Sequence, residues 1–173
     1  MLLLHACCAP CAAGVIEILQ YKSPVLLWHN PNIHPFTEYR SRKDCLIDFC
    51  ESKDLNLVLS ENYGLREFIS AVCPDFNNRC GHCYHSRLDF AAEYAKKHGY
   101  EAFSTTLLIS PYQKHDLIKE IGQTIGKKHG LKFYYEDFRG NFRGSQQKSK
   151  GMGFYMQKYC GCIFSEEERY LKC

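Results

Sequence analysis

Seven of the eleven cysteines stand in three tight clusters, Cys7-Cys8-Ala9-Pro10-Cys11, Cys80-Gly81-His82-Cys83 and Cys160-Gly161-Cys162. A thiolate is a nucleophile, a redox centre and a soft metal ligand, so the chemistry depends on how many converge. A C-x-x-C pair that opens a helix puts both sulfurs on one face, where the terminal amides favour the anion. Cys8–Cys11 and Cys80–Cys83 have that form, and Gly161 permits the sharp turn a C-x-C needs. Any one pair could be a redox dithiol or half a zinc site. Seven thiols exceed the four of a tetrahedral structural zinc and leave three over. A cubane 4Fe-4S cluster also takes four, leaving up to three for a second metal, a redox pair or an open coordination position. The count favours a redox iron-sulfur centre, with zinc and disulfide exchange as alternatives.

The remaining cysteines read as bystanders. Cys45 and Cys50 lie in a helical pattern beside Leu46 and Phe49, as small buried hydrophobes do. Cys73 precedes Pro74 in a loop and Cys173 ends the sequence. None of the eight histidines has paired-ligand spacing such as H-x-x-x-H. An odd number of cysteines in close-set clusters fits a disulfide framework poorly, so a reducing, cytoplasmic setting is expected. No apolar run approaches the roughly 18 residues of a membrane span. The opening Met1-Leu2-Leu3-Leu4-His5-Ala6-Cys7 lacks a basic flank and is too short for a signal, so it reads as a buried strand. A net charge of +3 excludes nothing.

These clusters need elements to hold them. Short apolar or β-prone runs at 2–5, 25–28, 57–59, 102–106 and 132–135 read as strands. Helical patterns fill 11–21, 37–53 with Thr37 as a candidate cap, 83–98, and 111–129 with Ser110 as cap and Pro111 in the first turn. Such alternation predicts an α/β fold: a mostly parallel sheet with helices on both faces, Rossmann-like. Sites in these folds lie beyond the carboxyl ends of the strands, where the first cysteine cluster falls. No G-x-G-x-x-G follows the first strand. Gly122-Gln123-Thr124-Ile125-Gly126-Lys127 is one residue short of a phosphate loop and lies in a helical pattern. One domain over 1–173 is expected, with a looser C-terminal part.

Within that part, 138–165 contains no acidic residue, whereas Arg139, Arg143, Lys148, Lys150 and Lys158 interleave with Phe142, Phe154, Tyr155 and Tyr159. Aromatics that stack on bases beside cations that neutralise phosphate are a common way to hold single-stranded or looped RNA. A solvated basic loop is the plainer reading, but this one runs straight into Cys160. A second polar set, Asn30, Asn32, Tyr39 and Arg42, follows the second strand around Asn30-Pro31-Asn32-Ile33-His34-Pro35. It could read a base or sugar, or simply form a turn and a helix start.

Five blocks taken together resemble a known family, the metal-dependent, cobalamin-independent epoxyqueuosine reductases of the QueH type. They are Leu4-His5-Ala6-Cys7-Cys8-Ala9-Pro10-Cys11, Asn30 to Pro35 with Glu38-Tyr39, Arg79-Cys80-Gly81-His82-Cys83-Tyr84, Thr105 to Tyr112, and Tyr159-Cys160-Gly161-Cys162. The resemblance implies an adenine-nucleotide hydrolase-like fold with cysteines in place of the phosphate loop. It also implies reduction of epoxyqueuosine to queuosine at the wobble position of tRNA, the last step of queuosine biosynthesis. The seven clustered cysteines would then hold a 4Fe-4S cluster fed by an external low-potential electron donor and a second, mononuclear iron acting as Lewis acid. Tyr112 and His115 are the candidates for the acid that the departing oxygen needs. A tRNA sulfur-transfer enzyme and a zinc-stabilised RNA-binding module are the competing readings.

Overall fold

The computed structural model describes residues 1–171, so Cys173 lies outside the described residues. Five parallel strands, β1 (Leu2–His5), β2 (Val25–Trp28), β3 (Leu57–Leu59), β4 (Ala102–Thr105) and β5 (Lys132–Phe133), form one sheet in the order β3-β2-β1-β4-β5. With β1 at the centre, successive strands are added first on one side of it and then on the other, the arrangement of doubly wound folds. Its residues Leu2, Leu3 and Leu4 are all buried because both faces of the sheet are covered.

Alternation along β2 shows the two layers. Leu26 and Trp28 share a core with Ala9 and Ala12 of α1 (Ala9–Leu19) and Leu46 and Phe49 of α2 (Phe36–Ser52). Leu27, pointing the other way, joins Leu88 and Ala92 of α4 (Arg79–Lys97) and Ile118 and Ile125 of α5 (His115–His129). Three shorter helices complete the chain: α3 (Leu65–Val72), α6 (Phe142–Gly151) and α7 (Ile163–Tyr170).

The five strand positions agree with the pattern in the sequence, with β4 and β5 ending earlier than expected. The helix expected from 111 begins only at His115. Leu107, Leu108 and Ile109 instead enter the core in a short 3-10 turn, capped by Thr105 Oγ1, which accepts from the amide of Leu107. Ser110 then stays extended, as a residue before proline does, and closes this turn rather than capping α5, whose cap position is Lys114. Thr37 is not a cap either, since α2 starts at Phe36 with Pro35 in the cap position.

The C-terminal part is not loose. α6 packs on α1, where Ser145 Oγ donates to the Pro10 carbonyl at 2.6 Å. Gly14 allows this approach, because a Cβ there would lie 2.5 Å from both Ile109 Cδ1 and Ser145 Oγ. Gly144 and Gly151 disguised a helix whose buried face is made of two serines one turn apart, Ser145 and Ser149.

Candidate metal centre

At the carboxyl edge of the sheet, one buried histidine ties three strands together. His5 Nδ1 lies 2.9 Å from Thr105 Oγ1 at the end of β4, and Nε2 lies 3.1 Å from the His29 carbonyl and 3.2 Å from Asn30 Oδ1, just past β2. Burial holds its pKa down at about 3, so it is a neutral strut. The chain turns directly from it into the first cysteine cluster.

Cys8 is the N-cap residue of α1, with Pro10 in the first turn, so the helix start presents Cys7, Cys8 and Cys11 together. Their three buried sulfurs lie within 4.8 Å of one another, the one such group of three or more metal-ligating side chains among the described residues. An ion with metal–sulfur bonds of ~2.3 Å separates tetrahedral ligands by about 3.8 Å. The Cys7 and Cys8 sulfurs are 3.8 Å apart. Hydrogen bonds from Cys11 and Cys8, joined by Thr106, hold the Cys7 thiol far below its usual pKa. Burial pushes Cys8 upward, and the neighbouring sulfurs push Cys11 upward. These opposed shifts tie the three thiols to one another, and a cation bound among them would favour the thiolate form of each.

The other four clustered cysteines gather beside them. Cys80 and Cys83 occupy the first turns of α4, and Cys160 and Cys162 flank Gly161, whose φ of +139° only glycine adopts without strain. Burial, followed by the nearby Cys160, Cys162 and Cys80, raises Cys83 to about 12 despite Arg87. All seven are free cysteines.

Arg42 locks the Cys160 loop in place. It is 2% exposed, pairs with Glu38 at 2.7 Å, and donates to the carbonyls of Tyr159 and Cys160, each at 2.9 Å. The amide of His34 donates to the Gly161 carbonyl at 2.7 Å, so the Asn30–Pro35 loop and the C-terminal loop brace each other. Two amides touch sulfur: Gln157 Nε2 is 3.0 Å from Cys8 Sγ, and Gln113 Nε2 is 3.3 Å from Cys160 Sγ.

A cleft of about 560 Å³ opens onto Cys7, Cys11 and Cys160. Lys150, Lys158 and Arg169 line it, with Tyr112, 84% exposed, edge-on to Phe142 at 5.8 Å. The expected contact residues are placed differently. Asn30 is buried and spent on Ala6 and His5, Asn32 is buried with neither side-chain polar atom bonded, and Tyr39 is buried against Trp28. Arg42 does line the cleft, but its guanidinium is taken up by Glu38 and by the carbonyls of Tyr159 and Cys160. Arg139 pairs with Asp137 at 2.8 Å, Lys148 with Glu17 at 2.6 Å, and neither these nor Arg143 line the cleft. His115 is buried with Nε2 at 3.0 Å from the Ser110 carbonyl, so it steadies the turn that carries Tyr112.

Arg87, Gln113, Gln157 and Arg169 escaped the reading of the sequence. Arg87 had a helical signal, lying four residues after Cys83 on the same helix face. Gln113 and Gln157 stand beside named candidates in the sequence, but the sulfurs they touch belong to other segments, and Arg169 comes from the last helix.

A doubly wound parallel sheet with three buried thiols converging at the carboxyl end of its central strand defines a Rossmann-like protein with the ligand set of a metal site. The chain matches the family model described as "Epoxyqueuosine reductase QueH" over residues 2–168. It is 38% identical over 173 residues to the epoxyqueuosine reductase QueH of Dehalococcoides mccartyi, covering 99% of this chain and 95% of that one. Against the protein of that name from Thermotoga maritima it is 36% identical over 176 residues, covering 96% and 91%. Against the one from Haemophilus influenzae it is 33% identical over 175 residues, covering 95% and 71%. The chain belongs to the epoxyqueuosine reductase QueH family and is an oxidoreductase.

Proposed function

We propose that this enzyme reduces epoxyqueuosine to queuosine in tRNA, with electrons from an external low-potential donor. The observation that carries the reading is the gathering of seven thiols from three distant segments at one sheet edge, open to a cleft lined by cations and aromatics. The names of the relatives supply the substrate. We read the sheet as a hydrolase-like relative of nucleotide-binding folds, the chain as one domain, and the protein as cytoplasmic. Among the described residues, no helix is long and apolar enough to cross a membrane.

The donor set fits the metals the family reading asks for. Cys7, Cys8 and Cys11 are close enough for a single ion, whereas Cys80, Cys83, Cys160 and Cys162 have the ligand number of a cubane cluster and stand farther apart. When bound, a 4Fe-4S cluster would supply electrons singly and an adjacent iron would supply Lewis acidity. Removing an epoxide oxygen to leave an alkene takes two electrons and two protons and releases water.

The chain's own residues do the rest. Lys150, Lys158 and Arg169 draw the RNA backbone to the cleft mouth, and Tyr112 and Phe142 offer ring faces to a splayed base. Tyr112 lines the cleft and His115 does not, so of the two acid candidates Tyr112 is the one placed to hand over a proton. Gln113 and Gln157 hold the ligand sulfurs in orientation, as amide donors around a metal site do.

Anaerobically reconstituted protein, incubated with epoxyqueuosine-containing tRNA and a low-potential reductant, should yield queuosine on nucleoside analysis. Full iron and sulfide loading with no queuosine formed would overturn the substrate. Protein that folds with zinc and takes up no sulfide would overturn the centre.

A further inference from the structure

Two arginines are buried beside the cysteines, and they are balanced differently. Arg42 has Glu38 as its carboxylate partner at 2.7 Å. Arg87, also 2% exposed, has none: no carboxylate lies within ion-pair distance of it among the described residues. It donates through Nε to the Cys83 carbonyl at 3.2 Å and through Nη2 to Cys83 Sγ at 2.9 Å. The Tyr84 ring, with its centroid 5.9 Å from the guanidinium carbon, adds a weak attraction. A guanidinium cannot shed its proton, so its burial requires a negative partner. The neighbours able to supply one are sulfurs, with Cys83 in contact and Cys160 and Cys7 close enough to act on its charge.

We infer that Arg87 is the fixed counter-ion of the cysteine centre, bonded to the Cys83 ligand sulfur, and that it sets how readily the centre accepts an electron. The inference rests on the reading of the clustered cysteines as metal ligands. A positive charge and a hydrogen bond at a ligand sulfur both favour the more negative, reduced state, and so raise the reduction potential. For an enzyme fed by a low-potential donor, Arg87 is thus a positioning residue acting through Cys83, its effect falling on electron uptake before any substrate is present.

The test uses the full chain, reconstituted anaerobically as wild type, Arg87→Met and Arg87→Lys. Iron and sulfide are counted, and one-electron reduction by dithionite is titrated against mediators and followed by EPR. The expected result is a midpoint lower in Arg87→Met than in wild type, with Arg87→Lys between them, at equal iron content. Equal iron and an unchanged midpoint in Arg87→Met would overturn the inference. If Arg87→Met fails to load, loading restored in Arg87→Lys supports a requirement for charge, and loading lost in both overturns it. A wild-type chain that binds no iron would instead defeat the reading of the centre on which the inference rests.

Discussion

On the proposed reading, Cys7 would serve a single ion and Cys83 a cluster, and single substitutions should separate them. Replacing Cys7 with Ser should remove about one iron per chain and leave most of the sulfide, whereas Cys83→Ser should remove about four irons with their sulfide. Equal losses from the two variants in a metal and sulfide assay would contradict the division. Arg42 offers a second test at this scale, because its guanidinium serves Glu38 and two backbone carbonyls of the Cys160 loop at once. Breaking a buried pair leaves the other charge stranded, so Arg42→Met should cost about 3–5 kcal/mol in urea unfolding. Iron should also be lost faster to a chelator, since the loop that presents Cys160 is released. A variant as stable as wild type would show that Glu38 is satisfied without it, for example through the Tyr155 hydroxyl that also reaches it.

Among the elements, the seat of α6 on α1 matters most, because α1 carries Cys11 and α6 leads into the segment with Gln157 and Cys160. Gly14 sits at the contact, and a Cβ there would also fall 2.6 Å from Ser145 Cβ. Gly14→Val should therefore destabilise the protein by about 1–3 kcal/mol through overpacking, read as a lower urea midpoint. Gly144, which has open space around it, is the control: Gly144→Ala should be neutral or slightly stabilising. Local pattern found α1, α2, α4 and α5 because each runs for 11 residues or more with apolar residues recurring at helical spacing. It missed α6 because a helix that meets its neighbour through serines and a glycine has no such pattern. It missed α3 and α7 because each is only 8 residues long.

For the whole molecule, acid should act through buried imidazoles. Burial, reinforced by Arg87, lowers His29 from 6.5 to about 4, and burial likewise lowers His34 from 6.5 to about 4. Between those values the unfolded chain binds protons that the folded chain refuses. Stability is therefore complete above about pH 6.5, falls as pH drops, and has lost this contribution by about pH 4. Urea midpoints should be level from pH 8 to 7 and decline steadily from 6.5 to 4.5, a decline made shallower in His29→Gln. Charge at the cleft is the other molecular property. Lys150→Gln and Lys158→Gln should each weaken tRNA binding and reduce the salt dependence of log K by about one phosphate contact, whereas Lys148→Gln, facing Glu17, should leave that slope unchanged.

The sequence by itself determined the parallel sheet, the thiol count and the family, because strand hydrophobicity, helix periodicity and cysteine spacing are local properties. It could not say which cations face the cleft. The acid-free run at 138–165 looked uniformly basic, yet Arg139 and Lys148 are neutralised by Asp137 and Glu17 from outside it, while Arg169 enters from the last helix. Nor could it separate residues that touch a ligand from those that build its walls. Asn30, Tyr39 and Arg42 carry the right groups, but the tertiary structure spends their hydrogen bonds internally. Only the tertiary structure brought Cys7, Cys8 and Cys11 within 4.8 Å of one another and bonded to Cys83 an arginine that has no carboxylate partner. Such facts depend on distances between segments remote in the chain, which residue type and spacing do not encode.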